Sequence, residues 1–311
     1  MAGEKLTFII LIILFFFAEQ AAYACFGARQ MAMGGAFTGL ADDAYSAYWN
    51  PAGLGTVQEE LVYTGTMPQS RDAYNHDDFL AYVFSLSRES KYLGNLAVWL
   101  VDSGFNRENY DDKEYWYGLA YGQKLFENFY AGLSSTYVTY RKSSSQGNDD
   151  DDLGTISLSF LYKLDKLSLG LLLQDMNRPR REIFDTEFQY IYNVRPGLAY
   201  RISDHTTFTF DIYDLLGQTK GDAQDVSQDL RFGFEHWLSH EFALRFGAYH
   251  PNSADDASQA ITVGFGLNPE ENMKLFGQNQ KIGFDYALMY WLDPPANTGN
   301  FTHQVGFRIM F

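Results

Sequence analysis

The sequence predicts an all-β protein, a 14-stranded antiparallel transmembrane β-barrel with an N-terminal plug (hatch) in its lumen. Three observations predict it. Apolar and polar residues alternate from residue 59 to the end. Aromatic residues make up 17% of the 311-residue chain, yet mean hydropathy is only -0.27; strands with one face toward lipid and one toward a polar lumen combine these features. A stretch rich in small residues, 25–58, stands between an export signal and the first strand.

The export signal comes first. Lys5 precedes LTFIILIILFFFA and then Ala22-Tyr23-Ala24, the charged, apolar and small-residue regions of a secretory signal peptide over residues 1–24. The apolar run is too short to span a bilayer as a helix. Cys25, the only cysteine, excludes an intrachain disulfide. It is either a plain mature N-terminus or a lipid-modified cysteine; Ala22 and Tyr23 depart from the Leu-plus-small pattern of lipidation sites and favour the former. The expected domains are therefore 1–24 signal peptide, 25–58 plug and 59–311 barrel, in the outer membrane.

The barrel follows from period-2 patterning. In DLRFGFEHW, Leu230, Phe232 and Phe234 oppose Asp229, Arg231, Gly233 and Glu235. In EFALRFGA, Phe242, Leu244 and Phe246 oppose Ala243, Arg245 and Gly247, and in HQVGFRIMF, Val305, Phe307, Ile309 and Phe311 oppose Gln304, Gly306, Arg308 and Met310. A soluble sandwich would show Lys, Thr and Glu on its wet face. Here that face carries Gly, Arg and Asp, as a crowded, ion-paired lumen requires. About 14 such segments recur, near 60–67, 77–87, 91–101, 114–123, 128–141, 153–163, 166–175, 187–201, 205–214, 227–238, 241–250, 258–267, 280–291 and 300–311. The even count suits a single-chain bacterial barrel.

Connection lengths agree. SRES, KLDK, RISDH and LSHE are short, whereas DSGFNRENYDDK, KSSSQGNDDDD, QDMNRPRREIFD, LLGQTKGDAQD, HPNSADDA and LDPPANTG are long and polar, the alternation of periplasmic turns and outer loops. NPEENMKLFGQNQ is the exception, a long connection where a turn is expected. Trp99, Trp116, Trp237 and Trp291 lie toward strand ends, where an aromatic belt is expected. A terminal strand ending in Phe311 resembles the signal read by the outer-membrane barrel assembly machinery, an expected partner along with the bilayer.

The net charge of -16 excludes nucleic acid as a partner class. G-x-S-x-G, H-E-x-x-H, C-x-x-C and Walker-type motifs are missing, so no enzyme, metal or cofactor is expected. His236 and His240 have helical metal spacing but straddle a strand end and a turn, where it loses its meaning. Asp149–Asp152 reads as a solvated loop tip rather than a cation site. Arg231, Glu235, Arg245, Asp285 and Arg308 project into the lumen, either as an ion-pair lattice or as a site for a ligand's charged head.

Residues 26–54, FGARQMAMGGAFTGLADDAYSAYWNPAGL, carry a resemblance. Gly27-Ala28-Arg29, Met33-Gly34-Gly35-Ala36-Phe37, Ala41-Asp42-Asp43-Ala44 and Trp49-Asn50-Pro51-Ala52-Gly53-Leu54 resemble the hatch of the FadL-like outer-membrane barrels, including the PorV/PorQ proteins of type IX secretion. The resemblance implies passive uptake of hydrophobic, fatty-acid-like molecules through a plugged barrel, with exit sideways through the wall and Asn50-Pro51-Ala52 supporting the moving part. The chain is shorter than the fatty-acid transporters, and its compactness suits the PorV/PorQ branch, which implies instead an accessory role binding secreted proteins. Elementary physics accounts for several positions. Asn50 can cap a short helical turn that begins at Pro51 and ends at Gly53. Gly34 and Gly35 allow close packing. Asp42 and Asp43 are caps or partners of lumen arginines. Phe37, Tyr45, Tyr48 and Trp49 line an apolar pocket or pack plug against wall.

Overall fold

The computed structural model describes residues 26–67, 74–86, 93–107, 110–144, 147–183, 186–189, 192–216, 228–251, 259–268, 273–275, 278–292 and 300–311. The signal peptide, Cys25 and much of three expected outer loops (217–227, 252–258 and 293–299) lie outside the described residues. The strands are β1 (Glu60–Met67), β2 (Tyr74–Phe84), β3 (Asn95–Arg107), β4 (Tyr110–Phe126), β5 (Phe129–Ser144), β6 (Gly147–Lys163) and β7 (Leu167–Gln174). Then come β8 (Arg180–Ile183), β9 (Thr186–Gln189), β10 (Asn193–Ser203), β11 (Thr206–Tyr213), β12 (Asp229–Trp237) and β13 (Phe242–Tyr249). The last are β14 (Ala260–Leu267), β15 (Met273–Leu275), β16 (Gln278–Trp291) and β17 (Phe301–Met310).

All of these except β8, β9 and β15 form one antiparallel ring of 14 strands, closed where β1 pairs with β17 from Glu60↔Met310 to Met67↔His303. Every expected strand is present. β8 and β9 form a separate hairpin, and β7 pairs across it with β10. The long connection at 268–279 is partly folded, with β15 pairing to the start of β16.

Burial is inverted relative to a water-soluble protein. Arg245 is 0% exposed and its neighbour Phe246 is 51%; Glu235 is 3% and Phe234 is 37%. Leu100, Leu119, Leu133, Ile156, Leu169 and Ile261 are also exposed. A wall that shows apolar side chains all round and buries its charges is stable only in an apolar surrounding, so these strands span a membrane.

Two expectations change. Within the polar stretches expected as loops, residues 102–107, 110–113, 142–144 and 147–152 are instead the outer halves of β3–β6. Unlike charges face each other across that ladder, Arg141 opposite Asp150 and Lys142 opposite Asp149, and such pairs stabilise strands standing in water. Asp149–Asp152 is therefore strand, not loop tip. Trp99 and Trp291 are not belt residues. Both are buried, and Trp291 Nε1 donates to Thr302 Oγ1 at 2.9 Å. Trp99 shares the inward face of β3 with Ala97 and Val101, a face that is apolar because it packs on aromatics of the N-terminal segment.

Residues 26–57 are almost wholly buried. Their first helix (Ala28–Ala32) packs on β13, β14, β16 and β17, and the 3-10 turn Pro51–Thr56 packs on β3–β6. A segment touching opposite arcs of a closed ring lies within it.

Candidate functional site

Two features of the lumen carry chemistry: the seat of the N-terminal segment and a small cavity beside it. The seat is built mostly from backbone. Gly34, at φ 63, donates its N–H to Thr262 Oγ1 at 3.1 Å. A Cβ there would come within 2.4 Å of Phe232 O and 2.5 Å of Ala248 O. Gly35 continues the turn at φ 71. Asp211 on β11 accepts the N–H groups of Phe37 and Thr38 through one oxygen, at 3.0 and 2.8 Å. The wall is also notched. At Gly132 and Gly170 a Cβ would meet Ala52 N at 2.2 Å and Thr38 O at 2.0 Å, which explains inward glycines on strands whose other face is bulky.

Asn50 ties this seat together. Its Oδ1 accepts from Ala52 N at 3.2 Å, capping the turn that begins at Pro51, while its Nδ2 donates to Thr38 O at 2.7 Å and to Phe160 O on β6 at 3.2 Å. Ala52 N also donates to Ser159 Oγ at 2.9 Å. The turn does not end at Gly53 but runs to Thr56. Gly53 is needed for space, since a Cβ would lie 2.3 Å from Ala41 O.

Charge fixes the other side. Arg29 is buried and makes a two-pronged contact with Glu235 on β12, both bonds at 2.9 Å. It also reaches Asp42 at 2.6 Å and Asp43 at 3.1 Å. The arginine that pairs with Asp42 and Asp43 therefore belongs to the segment itself and not to the wall. Asp43 also accepts from Tyr45 N at 3.0 Å. Its burial raises the carboxyl to about 6, with Arg29 pulling in the opposite sense. Arg245 bridges Glu235 and Asp285, each at 2.7 Å, and Arg308 lies 3.5 Å from Glu60 and 3.9 Å from Asp285. Glu235, Arg245, Asp285 and Arg308 are thus joined in one network. Arg231 stands apart, with Asp229 at 3.1 Å and with its guanidinium over the rings of Tyr213 and Tyr249.

Phe37, Tyr45 and Trp49 are buried. Tyr45 stacks on Phe79 and bonds the Thr64 hydroxyl; Trp49 Nε1 donates to Phe26 O at 2.8 Å. Only Tyr48 of the four reaches the cavity, a space of about 40 Å³ that it shares with Trp99 and Trp116. Ala47 of the segment, Ser134, Thr136 and Val138 of β5, Thr155 and Ser157 of β6, and Gln174 and Asp175 at the end of β7 form the rest of the lining. Beside it the wall changes character. The β6–β7 ladder stops at Leu158↔Leu173. Beyond it, Met176 N donates to Ile156 O at 2.9 Å, and the Asn177 side chain bonds both Ile156 N and Gly154 O, at 3.0 and 2.7 Å. Asp175 and Arg178 adopt positive φ there, 54 and 47. A side chain stands in for a strand at this point, and the exposed Ile156 and Met176 place it in the apolar band.

Two solved structures have this arrangement of strands. The toluene transporter TodX of Pseudomonas putida superposes with a TM-score of 0.58 over 94% of this chain and 98% of its own, at 13% identity. A deltaS2 mutant of TodX, described as a monoaromatic hydrocarbon channel, gives 0.62 over 92% and 97%, also at 13% identity. The fold is similar to that of a hydrocarbon transporter. No family model matches the sequence, and no curated protein matches it. At this identity the likeness is one of fold.

Sequence reasoning did not single out Arg29 as a site residue, although an arginine among alanines and glycines is itself a signal. Asp211, Trp99 and Trp116 were also missed as lumen groups. Pairing of distant strands with the segment made them neighbours. His236 sits on β12 with Nδ1 2.9 Å from the Thr206 hydroxyl, and no group of three or more metal-ligating side chains occurs among the described residues.

Proposed function

We propose that the protein is an outer-membrane channel of the FadL-like type for passive uptake of small hydrophobic molecules, with residues 25–58 as its hatch. The carrying observation is the cavity between Tyr48, Trp99, Trp116 and the wall, next to the stretch where Asn177 replaces a strand. At about 40 Å³ the space is smaller than a hydrocarbon ring needs, so it marks where a path a few side chains from lipid widens when the hatch shifts, and the hatch closes the straight aqueous path. Asn50-Pro51-Ala52 seats the hatch against β5 and β6, so it is the part whose release opens the lumen. Phe311, whose N–H donates to Glu59 O at 3.1 Å, closes the β1–β17 seam and serves as the assembly signal after removal of residues 1–24.

The test is entry of toluene into vesicles carrying the full chain, against vesicles without it and vesicles carrying an Asn177→Ala variant. Faster entry with the wild type and an altered rate for the variant support the reading; rates equal to empty vesicles overturn it. One observation favours the second reading, an accessory of protein secretion. β4, β5 and β6 have 17, 16 and 17 residues, well beyond the roughly 9–11 that cross a bilayer, so they raise a charged platform outside the membrane. Binding of exported proteins to that platform, with no vesicle uptake, would select this reading.

A further inference from the structure

We infer that β8 is a strap able to close onto the outer edge of β6, and that the carboxylates of Asp149 and Asp151 hold it one side chain away. β5 pairs with β6 from Ser144↔Gly147 to Phe129↔Tyr162, whereas β7 covers the opposite edge of β6 only from Leu158 to Lys163. Beyond Leu158 the backbone groups of Gly154 and Ile156 face that opposite edge, where Asn177 and Met176 meet them. Backbone direction alternates along a strand, so Asp152 and Asp150 turn theirs the same way. Side chains receive them too. Asp149 Oδ1 accepts from Asp150 N at 3.0 Å, and Asp151 Oδ1 accepts from Asp152 N at 2.8 Å. The second oxygen of Asp151 accepts from Glu182 N of β8 at 2.6 Å. One carboxylate thus stands between two strand backbones.

The rung that already exists sets the closed register. Met176 N donates to Ile156 O at 2.9 Å, which places residue 176 opposite 156. Continued antiparallel, Gly154 meets Arg178, Asp152 meets Arg180 and Asp150 meets Glu182. Glu182 already turns its N–H toward β6, and Arg180, two residues before it, shares that side. The same register sets Arg180 opposite Asp152 and Arg181 opposite Asp151, two unlike pairs against one like pair, Glu182 with Asp150. Pro179 falls on an odd position, where its missing N–H points away from β6 and removes no rung. Two local features oppose closure. Arg178, at φ 47, turns the chain out of line after the first rung. The aspartate side chains compete with a strand for the edge N–H groups. Closure extends the wall past the stretch that Asn177 bridges, beside Thr155, Ser157 and Asp175 of the cavity. The run Asp149–Asp152 therefore acts as a spacer, and the strap makes that stretch of wall adjustable.

The experiment is residue-resolved amide hydrogen exchange of the full chain in detergent micelles, wild type against an Asp149→Val, Asp151→Val double variant whose folding is checked by its heat-resistant migration. Val keeps strand propensity and accepts no hydrogen bond. We expect the N–H groups of Arg180 and Glu182 to exchange about tenfold or more slowly in the variant than in the wild type, because a ladder bond exchanges only when the strand opens. Those of Asp150 and Asp152 should slow with them. Unchanged rates at Arg180 and Glu182 in the folded variant overturn the inference. Slowing at Asp150 and Asp152 without β8, the pattern of a second copy seated on the edge, overturns it as well. The measurement uses no cargo, so its failure leaves the uptake reading standing, and failure of toluene entry leaves the strap standing. If the double variant fails to fold, Asp151→Val alone takes its place, with slowing expected at Glu182 and Asp152.

Discussion

Replacing Arg29 with Met should undock the hatch while leaving the barrel closed. Arg29 gives five hydrogen bonds: two to Glu235 at 2.9 Å, two to Asp42 at 2.6 and 3.3 Å, and one to Asp43 at 3.1 Å. Met fills much of the same volume but leaves Asp43 buried without that cation, while Glu235 keeps Arg245 at 2.7 Å. Breaking a buried ion pair from one side costs about 3–5 kcal/mol. At about 1.4 kcal/mol per tenfold, the undocked fraction should rise roughly a hundred- to several-thousand-fold. The ring closes through β1–β17 without Arg29, so the loss falls on docking rather than on the wall. Limited proteolysis of the detergent-solubilised chain reads this directly, because cleavage within residues 26–57 tracks the open population when reclosing is fast. The double variant Arg29→Met, Asp43→Asn should recover part of the loss, since Asp43 is the buried carboxylate left without its ion pair, whereas Glu235 keeps Arg245. A single variant as protease-resistant as wild type, with unchanged melting, would refute the assignment of Arg29 as the latch.

Three further outcomes are expected. Asp43 titrates near 6 in the docked hatch, against 3.8 for a free aspartate, so the docked state binds its proton more tightly. Its contribution to docking grows as pH falls from 6 toward 4 and is absent above 6; the hatch should resist protease better at pH 5 than at pH 7, and Asp43→Asn should flatten that slope. Gly170→Ala sets a Cβ 2.0 Å from Thr38 O and should lower stability by about 1–3 kcal/mol, seen as a fall in melting temperature, whereas Gly154→Ala, with nothing within 4 Å, should not. Leu119→Arg puts a charge on the lipid-facing side of β4 and should cost about 2–4 kcal/mol in vesicle-based unfolding; an unchanged midpoint would mean that Leu119 does not face lipid.

The wall was legible because a barrel strand repeats one local rule, apolar outward and small or polar inward, and that rule is written in consecutive residues. It failed where environment, not pattern, decides. The stretches around Asp111 and Asp149 are as polar as loops, yet they are strands, because unlike charges pair across a ladder that begins far away in the chain. Trp99 looked like an interface residue because position along a strand says nothing about which face it occupies. Gly53 looked like a helix stop and instead clears Ala41 O.

Sequence alone determined the strand count, the antiparallel order, the presence of a small-residue segment ahead of β1, and the inward parity of Glu235, Arg245 and Asp285. These follow from period, length and turn chemistry, which are local. Only the tertiary structure decided that Arg29 joins Glu235, that Asp211 receives the segment's backbone, that Arg231 stands apart, and that Tyr48 meets Trp99, Trp116 and a wall of hydroxyls. Those contacts arise when a ring closes around a folded segment, and closure brings together residues more than 200 positions apart, as Arg29 and Glu235 are, 206 positions from one another.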